Sequence, residues 1–148
     1  MPYHFSLEAV LRLRRSQERV EHLKLEAIVS EQARTRALLD RASGNFLESR
    51  RLLRQNLAGT MCGSELQYEF QREERVAAGL RSLRGQLAEL EQRRLLQLQR
   101  FLKSRQKREI LESLRDRKLQ VYRMEQSRRE QQVLDDLFLM RHEILDEE

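Results

Sequence analysis

From Tyr3 to Ser43, and again from Gln86 to the last residue, the chain contains neither glycine nor proline. An all-β fold needs turn signals about every 8–12 residues, and this sequence does not supply them. Segments this free of breakers belong to long helices. A periodic pattern sustained well beyond about 25 residues points to a coiled coil. Composition agrees: Ala, Glu, Lys, Leu and Arg account for 84 of 148 residues, a bias that accompanies coiled coils and long helices. The 41 Leu, Ile, Val and Phe residues are too many for a disordered chain. With no tryptophan and 36% charged residues, a narrow seam between helices suits the chain better than a round core.

The expected fold is all-α: a long antiparallel two-helix coiled coil in a single domain, 1–148, with helix over about 7–57, a hinge at 59–64 and helix over 64–145. In the first segment Ala9, Leu13, Ser16, Val20, Leu23 and Ala27 recur at four-three spacing. The stripe then shifts and resumes as Ile28, Gln32, Thr35, Leu39, Ala42, Phe46, Ser49 and Leu53, which predicts a seam with one discontinuity. Gly59-Thr60-Met61-Cys62-Gly63-Ser64 reads as a helix C-cap and turn. Ser64 and Gln67 then form a capping box for the next helix. In the second segment the apolar patches are Val76, Leu80, Leu83, Leu87, Leu90, then Leu95, Leu98, Leu102, then Ile110, Leu114, Val121, Met124 with Arg117 in the open slot, and last Val133, Leu137, Met140, Ile144. At about 1.5 Å per residue the first helix is roughly 75 Å long and the second roughly 120 Å. Either the second helix overhangs, or residues 64–84 make a short extra helix near the hinge with a break at Gly79–Gly85.

Net charge is +5, and its distribution is uneven. Residues 1–58 are net +4, residues 100–129 net +7 and residues 130–148 net −6. An antiparallel hairpin is expected to lay the acidic end beside Arg12, Arg14, Arg15 and Arg19. The basic stretch Lys103, Arg105, Lys107, Arg108, Arg115, Arg117 and Lys118 offers phosphate contacts, but Glu109, Glu112 and Asp116 interrupt it.

Nothing reads as catalytic. His4, His22 and His142 have no metal-ligand spacing, Cys62 is the lone cysteine, and no glycine-rich loop cradles a phosphate. No catalytic, cofactor or metal residue is assigned. The longest apolar run, Leu137–Met140, is far short of the roughly 18 residues of a membrane span. A soluble cytoplasmic protein is expected.

The opening string over residues 4–18 resembles the start of the FliJ family of flagellar export proteins, in Phe5, Leu7, Glu8, Val10, Leu11, Leu13 and Arg14. Ser64-Glu65-Leu66-Gln67, followed by Tyr68 and Phe70, resembles that family's segment after the hinge. Arg72, Glu73 and Glu74 stand where a second aromatic would fall. The resemblance implies a non-enzymatic central stalk of the type III protein export machinery that builds the flagellum and serves motility and chemotaxis. It implies as partners a hexameric export ATPase, the cytoplasmic domain of the export-gate membrane protein, and export chaperones, with no nucleic acid and no small-molecule substrate. The implied place is the cytoplasm, peripherally associated with the inner membrane's cytoplasmic face. The partner-binding residues assigned are Arg12, Arg14, Arg15 and Arg19 at the paired terminal end, with Tyr68 and Phe70 beyond the hinge. The alternatives are an injectisome stalk, or a nucleic-acid-binding coiled coil using the basic 100–129 face.

Overall fold

The computed structural model describes the backbone of residues 3–146 and the side chains of residues 3–141. Among these residues there are two α-helices and no strand: α1, Glu8–Leu57, and α2, Gly63–Asp146. They pack as an antiparallel helical hairpin, the coiled coil that the breaker-free segments predict. α2 passes unbroken through Gly79 and Gly85, so no separate short helix forms over 64–84. Each glycine costs a helix about 1 kcal/mol relative to alanine. The inward side chains around them, Leu80, Leu83 and Leu87, offset that cost. Being 84 residues against 50, α2 overhangs.

The connection spans residues 58–62, and its chemistry differs from the expected pattern. No described residue, glycine included, has a positive φ. The chain reverses without a left-handed C-cap, and the Gly59 N–H simply donates to Asn56 O at 3.0 Å. One bond of a capping box is present, two residues earlier than the Ser64–Gln67 pair expected. The Cys62 N–H donates to the Glu65 carboxylate at 3.2 Å, so Cys62 is the N-cap in place of Ser64 and α2 opens at Gly63.

The chain divides into two compact units, Met1–Glu18 with Lys103–Glu148, and Arg19–Leu102. In the second unit Leu80 and Leu90 are buried opposite the Ile28–Leu53 stripe, which is inward as expected. Two polar groups share that core. Thr35 donates to Glu31 O at 3.0 Å, and Gln97 donates to Glu21 O and to its carboxylate at 3.1 and 2.6 Å. In the first unit Phe5 and Leu11 are buried. The Lys118 ammonium sits 5.9 Å from the Phe5 ring centre, and Tyr3 packs on Tyr122 with ring centres 5.4 Å apart.

The seam of α1 corrects the sequence reading before Ile28. The inward row is Leu7, Leu11, Arg14, Glu18, Glu21, Leu25 and Ile28, which joins the later stripe with no discontinuity. Ala9, Leu13, Ser16, Val20, Leu23 and Ala27 are exposed instead. Likewise the inward row of α2 after Leu90 is Arg94, Gln97, Phe101, Ser104, Arg108 and Leu111. Leu95, Leu102, Ile110, Leu114, Val121 and Met124 lie outside it, as do Val133, Leu137 and Met140. Ile144 falls outside the residues whose side chains are described.

Candidate interaction site

Where the start of α1 packs on α2 the seam is half polar, and Arg14, Glu18, Glu21, Gln97 and Arg108 each have a hydrogen-bond partner across or along the helices. Arg108 on α2 donates to the Glu18 carboxylate on α1 and to Glu112 one turn on. Arg15 donates to Glu112 from Nε at 3.1 Å and Nη2 at 3.0 Å. The result is a four-residue network, Arg15–Glu112–Arg108–Glu18, largely withdrawn from water at Glu18 and Arg108. Its charges hold one another. Burial pushes the Glu112 carboxyl up, but Arg15 and Arg108 outweigh it and leave the group below its ordinary value. The bond that Arg108 donates to Glu18 leads in holding the guanidinium above its ordinary value. Among the described residues no buried side-chain nitrogen or oxygen lacks a partner.

This network decides what the four assigned arginines can do. Arg15 is engaged inside the hairpin. Arg14 is half-buried in the seam row and donates to Gln17 at 3.0 Å. Arg12 and Arg19 are exposed on α1. The group opposite Arg15 is Glu112, not the acidic C-terminal segment. Asp135 and Asp136 come more than twenty residues later on the overhang of α2. The expected alignment of the two helix ends fails because α2 is the longer helix.

Tyr68 and Phe70 are 59% and 57% exposed on the first turns of α2, as free-standing aromatics on a charged helix. The basic stretch after residue 100 is not one open face. Arg105 pairs with Glu109 at 2.8 Å, Arg108 is in the network, Arg115 lies 3.5 Å from Asp116, and Lys118 covers Phe5. Lys103, Lys107 and Arg117 of that stretch are exposed outside these contacts.

The Glu18–Arg108 pair is the feature the sequence reading missed. Its signal was the spacing: carrying the Ile28 stripe backwards at strict four-three steps lands on Leu25, Glu21, Glu18, Arg14, Leu11 and Leu7.

Among the described residues no group of three or more His, Cys, Asp or Glu is placed to hold a metal. Among the described residues no helix is long and apolar enough to cross a membrane. No curated protein and no solved structure matches the chain. The family model of the flagellar FliJ protein does match, over residues 3–143, nearly the whole length. The chain belongs to the FliJ family of flagellar proteins.

Proposed function

We infer that the chain, as a member of this family, has a role in flagellar protein export. We propose that it acts there as a non-enzymatic central stalk, and that the end where the start of α1 packs on α2 engages the ring of the export ATPase through Arg12 and Arg19. On this reading Tyr68 and Phe70 contact the cytoplasmic domain of the export gate, and export chaperones are further partners. The work is done in the cytoplasm, at the inner membrane's cytoplasmic face.

The observation that carries the proposal is the division of labour among the arginines. Arg15 is held by Glu112 and serves the hairpin, whereas Arg12 and Arg19 project from α1. An exposed guanidinium fork suits a carboxylate on another protein. The two aromatics have the size and the amphipathic character of interface anchors.

Arg12→Glu combined with Arg19→Glu tests this. ATPase stimulation by the purified stalk should fall at least about tenfold, the equivalent of roughly 1.4 kcal/mol of lost contact. Helicity and melting temperature should stay at the parent values, because neither side chain is in the seam. Unchanged stimulation would refute the ring contact.

A further inference from the structure

Beyond Gln126, every described side chain of α2 is exposed, from Ser127 to Arg141. The face that turned inward at Tyr122 and Gln126 nevertheless keeps its apolar character. Positions seven, eleven and fourteen residues past Gln126 lie on that same face, and they are Val133, Leu137 and Met140. These are 57%, 57% and 61% exposed. Val133, Leu137 and Met140 therefore continue the seam along an exposed face of α2. Contiguous apolar surface of this kind marks an interaction site.

α1 presents a matching strip. Ala9, Leu13, Ser16 and Val20 repeat at the same four-three spacing on the face opposite its seam, two residues out of step with Leu7, Leu11, Arg14 and Glu18. Leu13 is 55% and Val20 46% exposed, with Arg12 and Arg19 on their flank. Within one chain the two strips cannot meet, because the outer face of α1 points away from α2.

We propose that a second copy of this chain joins them, the α2 tail of each copy lying on the outer face of the other copy's α1. Two observations favour this occupant. First, the tail strip is continuous with the existing helix–helix interface, so a helix laid on it extends a packing the chain already uses. Second, the arrangement closes. α1 begins opposite the Tyr122 region of α2, so a copy turned end for end sets its α1 in line with the first, N-terminus to N-terminus, between the two α2 helices. Both contacts are then identical, which is the isologous interface of a two-fold dimer and stops at two.

This inference does not rest on the ring contact. It places Arg12 and Arg19 under the other copy's tail, so a dimer and a ring-bound stalk would compete for one surface. The two readings are tested separately, one by mass and the other by ATPase stimulation.

The full chain should sediment as a monomer–dimer system, rising from 17.8 kDa to twice that with concentration. Leu137→Glu should weaken the dimer at least about a hundredfold with helicity unchanged, since residue 137 buries nothing in the monomer. In a Cys62→Ser background, Leu13→Cys protein mixed with Leu137→Cys protein should give a disulfide-linked dimer of one of each on oxidation, while neither alone should. A monomer at all concentrations, or efficient crosslinking of the Leu137→Cys protein with itself, would overturn the proposal.

Discussion

Glu91 shows how single side chains tie this hairpin to pH. Its carboxylate accepts from Arg94 on its own helix at 2.6 and 3.0 Å and from Gln32 on α1 at 2.7 Å. The Arg94 bonds lead in holding it down, from 4.5 to about 2, with Gln32 next. Glu21 is lowered in the same direction by Lys24 and then Gln97. A carboxyl whose folded value lies below its unfolded one contributes stability in full above the unfolded value, and loses it as pH falls through the folded one. The window for Glu91 therefore runs from about 4.5 down to about 2. The melting temperature followed by circular dichroism should fall across that window, and Glu91→Gln should flatten the fall. A Glu91→Gln profile that overlays the parent would show that the carboxylate contributes nothing to folding. The glutamine at position 32 was legible as a seam residue. Its carboxylate partner was not, because helix periodicity reports which face a residue occupies but not which polar groups meet across it.

At the scale of the element, the informative contrast is between the two apolar rows of α1. From Ile28 to Leu53 only one row of apolar and small residues exists, and the sequence reading found it. Between Leu7 and Ala27 there are two candidate rows, and the more apolar one is outside. The inward row is broken by Arg14, Glu18 and Glu21, yet it wins because a coiled coil holds one register along its length and Arg108 and Gln97 satisfy the polar positions. A reading that follows hydrophobicity alone changes rows and sees a discontinuity that is absent. The same error moved Ile110, Leu114 and Val121 into a seam that belongs to Arg108, Leu111 and Arg115. Paired aspartate substitutions separate the rows. Leu11 is fully buried, so Leu11→Asp should cost about 3 kcal/mol or more. Leu13→Asp, measured by denaturant titration on dilute protein, should stay within about 0.5 kcal/mol of the parent. Equal losses would return Leu13 to the seam.

For the molecule as a whole, the fold class was legible because it depends on quantities a sequence displays directly: breaker-free length, one strong break and helical periodicity. The candidate site was legible only in outline. Arg12 and Arg19 differ from Arg14 and Arg15 through register, and the exposed strip Val133, Leu137 and Met140 follows from where α1 starts, which no local pattern announces. These differences should appear together in hydrogen exchange. Helical amides open with free energies set by the burial around them, from near zero at unsupported ends to the global value in the core. Amides around Leu80–Gln97, where buried side chains are densest, should exchange slowest. Those from Ser127 to Arg141, whose side chains are exposed, should exchange fastest within α2. Protection of the core segment should not depend on protein concentration. In the tail it should rise as concentration rises, together with the Ala9–Val20 segment of α1, if the outer face of that helix receives the tail of a second copy. Slow exchange throughout the tail in dilute protein would mean that its helix is held by contacts within the single chain, and the overhang would then lose its standing as an open seam.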